Sequence, residues 1–238
     1  MDNIKVIREQ ERKYHDECYE SYQLFEQGSW LHKPVKSLMD LIPLLEDKEN
    51  LKILDLGAGV GRNSIPIAKA LKKNGVKVVC VDLLDSAINH LRNNSKQHDV
   101  EQEIIPVKAD IDNYKIFQDT YDLILAVSSL EHISNEPMLD QVLDHVAEGT
   151  KIGGINGIII NSEVKEIDRE TGKKLEAFIE LNLSTKEIIE KLKKHFHDWK
   201  WLKQIVRPQE YLIKREEREV ILKTKAITFI ARKERGGN

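Results

Sequence analysis

Residues 53–63 read Ile-Leu-Asp-Leu-Gly-Ala-Gly-Val-Gly-Arg-Asn, and no other stretch restricts the fold as much. An apolar run closes on Asp55, and Gly57, Gly59 and Gly61 then fall at alternate positions before a helical pattern opens. Glycine has no Cβ, so it allows a tight turn and a close approach of backbone to ligand. A strand feeding such a loop, with a helix behind it, builds the nucleotide crevice of doubly wound α/β folds. Taken alone, Gly-x-Gly is an ordinary strand-to-helix turn. The next acid adds weight: Val78-Val79-Cys80-Val81-Asp82 reads as a second buried strand ending in a carboxylate, 21 residues after Gly61. That is where such folds carry a ribose-binding acid. Together the two features predict an adenosine-containing ligand.

Two departures narrow the ligand. A dinucleotide fingerprint counted from Gly57 needs a glycine at position 62, which is Arg62. Asp55 stands just before the turn, where it would repel a diphosphate and welcome a cation. The pattern strand-Asp-x-Gly-x-Gly-x-Gly resembles the first motif of class I S-adenosylmethionine (SAM)-dependent methyltransferases, and the similarity runs over residues 51–161. The resemblance implies a Rossmann-like, doubly wound α/β fold. Its mostly parallel seven-stranded sheet would carry an antiparallel C-terminal edge strand, with an N-terminal helical cap over residues 1–50 and the methyltransferase domain over 51–238. It also implies SAM as cofactor. Asp55 would lie near the amino acid end of SAM, with Gly57, Ala58, Gly59 and Arg62 along the cofactor. Asp82, followed by Leu83, would bind the ribose hydroxyls. Asp110, followed by Ile111, would accept from the adenine amino group, and Ser128 would close the site from the fourth strand.

The 238 residues are 40% hydrophobic with a net charge of −3, which suits one α/β unit with a substantial core. Near-neutral charge makes a nucleic-acid partner an unlikely expectation. Cys18 and Cys80 form no disulfide framework, and the second should be buried in its strand. Met1–Gln10 is charged throughout and no apolar run is long enough to span a bilayer, so a cytoplasmic protein without membrane contact is expected.

Residues 4–45 have helical character. Tyr14, Cys18, Tyr22 and Phe25 recur at three- and four-residue steps, and Pro34 is placed to open a helix carrying Val35, Leu38, Met39, Ile42 and Leu45, kinked at Pro43. In related small-molecule methyltransferases this segment folds over the cofactor. Tyr14, His15, Tyr19 and Trp30 are therefore candidates for a lid, and Tyr14 for a catalytic role; core packing is the alternative for each.

After the glycine loop, Asn63–Asn74 reads as a helix stopped at Gly75, and Asp85 as the cap of another. Tyr121–Val127 is a nearly continuous apolar run, as a strand buried on both faces should be. It ends in Ser128-Ser129-Leu130-Glu131-His132-Ile133, which resembles the SLEH-type ending of small-molecule methyltransferases. His132 could take a proton from a protic nucleophile, or could fix the strand end through hydrogen bonds. Met138–Gly149 reads as a helix, and Lys151-Ile152-Gly153-Gly154 resembles the turn before the fifth strand, Ile155–Ile160.

Leu175, Phe178, Ile179 and Leu183 suggest a further helix, and Ser184 with Glu187 a capping box for the next. Trp199–Val206 and Thr224–Ala231 have strand character and could pair, leaving Lys214–Glu219 as a solvated charged turn. His195 and His197 lack the partners for a metal site. The Gly61–Ser64 run, the Trp199 region and Ala231-Arg232-Lys233 are similar to tellurite-resistance methyltransferases.

The expected activity is methyl transfer from SAM to a small-molecule acceptor. Nucleobase amino methylation typically carries an Asn/Asp-Pro-Pro-Tyr/Phe run where Ser128–His132 stands, and neither cysteine follows a proline as cytosine C5 chemistry would require. A protein acceptor remains open, as does a SAM-binding regulatory or scaffold protein without transferase activity. The acceptor and the oligomeric state leave no mark in the sequence.

Overall fold

The computed structural model describes residues 2–215 and 218–235. The chain runs through α1 (Asp2–Ser21), α2 (Lys36–Met39), β1 (Lys52–Leu56), α3 (Ser64–Ala70), β2 (Lys77–Asp82) and α4 (Asp85–Gln97). It continues through β3 (Ile104–Lys108), β4 (Tyr121–Val127), α5 (Glu136–Gly149), β5 (Thr150–Asp168), β6 (Lys174–Leu175), α6 (Thr185–His195), β7 (Lys200–Arg215) and β8 (Arg218–Arg232). The sheet order is β3-β2-β1-β4-β5-β8-β7, with the two-residue β6 attached to β5. The first five strands in that order are parallel, while β8 runs antiparallel to β5 and β7 antiparallel to β8. Apart from the two-residue β6, β8 alone therefore runs against the other strands, and β7, parallel to them, pairs with it as the outermost strand, as the strand character of the two C-terminal stretches led one to expect.

Strand burial explains the sheet. All seven residues of β4 are buried, because helices cover both faces at its centre. Two apolar layers result. One packs Leu38, Leu41 and Leu45 with α3 against one face, and the other packs α5, α6, Phe196 and Phe229 against the opposite face. His195 braces α6 to α5 through Asp140 and Asp144, at 2.8 and 2.6 Å.

The fifth strand is longer than Ile155–Ile160. Val127, the last residue of β4, pairs with Ile159, and β5 runs on to Asp168 through a register shift between Ser162 and Lys165. The paired β7 and β8 continue with it, so a ribbon projects past the C-terminal edge of the parallel strands. The charged turn expected over Lys214–Glu219 is its tip. Glu216 and Glu217 lie outside the described residues, but Arg215 is not solvated: its side chain is only 10% exposed and turns inward.

Other expectations shift for local reasons. The helix expected over Asn63–Asn74 ends at Ala70 and gives way to a tight turn, with Gly75 at φ +63° stopping it. Asp85 is the first residue of α4 rather than its cap, the preceding turn being held by Asp82. Pro43 sits within a separate single turn, Ile42–Leu44, and kinks nothing. Leu175–Leu183 is no helix, because its hydrogen bonds go to β5 and to the turn after β4: Asn182 both donates to and accepts from the Val164 backbone, the Leu183 carbonyl accepts from the Glu163 N–H, and the Leu181 N–H donates to the Glu131 carbonyl. Tyr22 and Phe25 fall beyond the end of α1, so the apolar face drawn through them does not form. Among the described residues no helix is long and apolar enough to cross a membrane.

Candidate functional site

The glycine loop is tied to the second strand. The N–H groups of Gly57 and Ala58 both donate to the Val81 carbonyl, at 2.8 and 3.0 Å. Gly57 adopts φ +76°, and a Cβ there would stand 2.3 Å from the Ser129 Cβ. Gly59 adopts φ +55°, and its missing Cβ leaves room for the Tyr19 hydroxyl. Only glycine meets both demands, a left-handed backbone and no side chain. The Gly59 N–H donates to Asp82 Oδ2 at 2.8 Å, and the other oxygen of Asp82 accepts from the Leu84 N–H at 3.0 Å. One carboxylate therefore anchors the loop and shapes the turn into α4, and each oxygen keeps acceptor capacity.

Asp55 is placed differently from Asp82. It lies under the loop, 1% exposed, and accepts a short hydrogen bond from the Ser64 hydroxyl. It does not line the cavity described next. Burial pushes its carboxyl up to about 6, against the opposing pull of Ser64.

A cavity of about 580 Å³ opens above the C-terminal ends of the parallel strands, beneath α1 and beside the ribbon. Gly57, Ala58, Gly59, Asp82 and Leu83 line one end. Arg62 joins them, its guanidinium donating to the Trp30 carbonyl at 2.9 Å and lying 5.0 Å from the Trp30 ring. Ser128 closes this end at φ +50°, with its N–H donating to Ile159. Asp110 and Ile111 reach the same wall, but Asp110 is engaged: it pairs with Arg8 of α1 at 2.9 Å and accepts from the Asp112 N–H.

The inward face of α1 carries Arg8, Glu11, His15 and Tyr19, at the steps of three and four that share one face of a helix. It is a polar and aromatic face, in contact with the cavity. His15 stacks among Tyr14, Tyr19 and Trp30, with ring centroids 5.4 to 5.9 Å away. Burial lowers its pKa, chiefly by removing water from the charged form, so the ring is neutral near pH 7. Its Nδ1 has no hydrogen-bond partner among the described residues. Burial also pushes the Tyr14 phenol up to about 12, which keeps its proton in place and makes it a donor.

His132 stands in the opposite state. Its Nδ1 donates to Glu180 Oε2 at 2.9 Å. Burial works against its charge, but the Glu180 hydrogen bond with the fields of Glu11 and Glu131 outweighs it and raises the pKa to about 9. An imidazolium at neutral pH holds a proton and takes none, which argues against the base role considered for His132. Beside it, Glu131 is 1% exposed; Oε1 accepts from Asn161 and Oε2 has no hydrogen-bond partner among the described residues.

Arg215 reaches in from the ribbon. Its Nη2 donates to Glu11 and Glu166, each at 2.9 Å, and its guanidinium lies between the rings of Tyr14 and Phe178, at 5.7 and 5.5 Å. Arg8, Glu11, Glu166, Glu180 and Arg215 escaped the sequence reading: four of them sit in locally charged stretches, and Glu180 is a lone acid among apolar residues. Only the spacing of Arg8, Glu11, His15 and Tyr19 carried a usable signal.

Residues 53–154 match the methyltransferase domain family. No curated protein matches the chain. Among solved structures, TehB from Haemophilus influenzae is similar at 23% identity and a TM-score of 0.61, over 84% of this chain and 62% of that one. This chain thus spans less than two thirds of TehB. An S-adenosylmethionine-dependent methyltransferase from Clostridium acetobutylicum is similar at 17% identity and a TM-score of 0.57, over 84% of this chain and 90% of that one. The cyclase SpnF is similar at 15% identity and a TM-score of 0.59, over 88% and 84%. SAM is the cofactor of this domain class, and the residues present fit it: two Cβ-free loop positions face the cavity, and a carboxylate with spare acceptor capacity stands beside them. Residues 53–154 thus match a methyltransferase domain, and the chain has the class I fold of SAM-dependent methyltransferases.

Proposed function

We propose that this protein transfers the methyl group of SAM to a small-molecule acceptor. The roof over the cavity carries the reading: α1 covers it with Tyr14, His15 and Tyr19, and the ribbon walls one side. A space of about 580 Å³ shared with a cofactor suits a small acceptor and leaves little room for a folded protein surface. Residues 1–50 act as the cap, and the two free cysteines, Cys18 and Cys80, fit a cytoplasmic setting.

Bound SAM supplies an activated methyl group on a sulfonium sulfur. The chain contributes alignment and dryness, the main requirements of an in-line displacement. The glycine loop and Asp82 hold the adenosine end, with Ser128 and Arg62 beside them. Asp55 acts from beneath, through Ser64 and the loop. Asp110 reaches the adenine only while sharing its carboxylate with Arg8. His15, neutral and roofed by aromatic rings, takes the acceptor's proton where the nucleophile carries one. Tyr14 donates a hydrogen bond, and His132 stays cationic against Glu180.

Release of S-adenosylhomocysteine in the presence of small acceptors tests the reading. His15→Ala should lower turnover by about a hundredfold with cofactor affinity retained, the usual size of a lost general base. Tight S-adenosylhomocysteine binding without product from any small acceptor would favour a SAM-binding protein lacking transferase activity. A protein substrate labelled in place of small ones would favour a protein methyltransferase.

A further inference from the structure

We infer that the acceptor is an amine, bound as its ammonium beside Glu131; this rests on the transferase reading above. The acceptor end of the cavity is lined by four carboxylates, Glu11, Glu131, Glu166 and Glu180. Three of them have cation partners. Arg215 holds Glu11 and Glu166, and His132 holds Glu180 with Arg8 3.6 Å away. Arg8 is itself shared with Asp110 and Asp112.

Glu131 is the exception. It is 1% exposed and lines the cavity, Asn161 satisfies one oxygen, and no ion pair reaches the other among the described residues. A buried carboxylate oxygen without a donor costs roughly 1–3 kcal/mol or more, so the fold retains it against a penalty. An ammonium group supplies both the charge and the N–H donors that this oxygen lacks. The aromatic walls agree, since Tyr14 and Phe178 already face a guanidinium and present the ring faces that attract cations.

The chemistry balances. The ammonium loses one proton to the neutral His15, which exposes the nitrogen lone pair. That pair forms the new N–C bond while the C–S bonding pair leaves with sulfur. The product nitrogen carries the positive charge that the sulfonium loses. His15 returns its proton to water when the product departs. No oxidant, metal or second substrate is needed.

Matched probes of one shape test this: phenethylamine, phenethyl alcohol and hydrocinnamate, titrated into the full-length protein loaded with S-adenosylhomocysteine. Cofactor affinity is measured first, and its absence overturns the transferase reading together with this inference. With the cofactor bound, the amine should bind at least about tenfold tighter than the alcohol, and the acid most weakly. Glu131→Gln, which keeps the shape and the bond to Asn161, should erase most of that preference. An amine that binds no tighter than its alcohol or acid counterpart overturns the inference, and this comparison needs no variant to fold. It is equally overturned if Glu131→Gln leaves the amine preference intact while weakening SAM relative to S-adenosylhomocysteine. That pattern would assign the carboxylate to the sulfonium.

Discussion

Asp82→Ala separates two roles that meet in one side chain. The structure gives the first: the carboxylate accepts from the Gly59 N–H at 2.8 Å and the Leu84 N–H at 3.0 Å. Removing both leaves two backbone donors that water at the cavity wall can partly satisfy. With a net worth of about 1 kcal/mol per bond, and more for a charged acceptor, the variant should lose roughly 2–3 kcal/mol of stability. The second role is proposed, acceptance from the ribose hydroxyls, each bond contributing about 1.5–3 kcal/mol because the acceptor is charged. Cofactor affinity should then fall at least about tenfold. A loosened glycine loop could produce the same fall indirectly, so affinity alone decides little. The decisive assay is a cycle by calorimetry, crossing Asp82→Ala with S-adenosylhomocysteine lacking its ribose hydroxyls. Native protein should lose affinity for the deoxygenated ligand, while the variant should show almost no further loss. Equal losses in both proteins would refute the ribose contact and leave Asp82 as a loop anchor. Asp82→Asn should fall between, since its amide oxygen still accepts without the charge.

Two further outcomes follow from the same geometry. Gly57→Ala meets the Ser129 Cβ at 2.3 Å in a left-handed backbone, so it should lower thermal stability by about 2–4 kcal/mol. Adding Ser129→Gly should recover part of that; no recovery would mean that backbone strain, not the clash, sets the cost. For His132, the folded pKa of about 9 lies above the usual 6.5, so its stabilisation is complete below about pH 6.5 and fades as pH rises through 9. At a side chain 31% exposed, solvent screening limits this to about 2 kcal/mol, and Glu180→Gln should flatten the melting-temperature profile across that window.

How far the sequence could be read depended on the range of the interactions. The glycine loop, Asp82 and the buried Tyr121–Val127 strand were legible because each is specified by neighbours in the chain. The capping box of Ser184 and Glu187 is likewise a four-residue device, and it forms. What failed was decided across the fold. Leu175–Leu183 has a helical apolar spacing, yet the long extension of β5 claims its backbone partners. Arg215 sits in a run of charges that reads as solvent-facing, and only the pairing of β7 with β8 carries it over the cavity. The state of His132 was invisible for the same reason: Glu180 lies 48 residues away along the chain and 2.9 Å away in space.

The roof shows why the acceptor end resists reading from composition. A helix that caps a core buries apolar residues, but α1 turns Arg8, Glu11, His15 and Tyr19 inward. Its attachments are mostly polar: Arg8 to Asp110, Glu11 to Arg215, and Asp16 to the Ser86 hydroxyl, with the aromatic cluster at its C-terminal end. Partly buried ion pairs contribute less net stability than equal apolar area, because desolvation offsets their attraction. A cap held this way can part from the sheet at lower cost than the core layers beneath it. The same polar side chains that weaken the attachment are those that line the cavity, so the cost in stability and the shape of the cavity wall reside in one helical face.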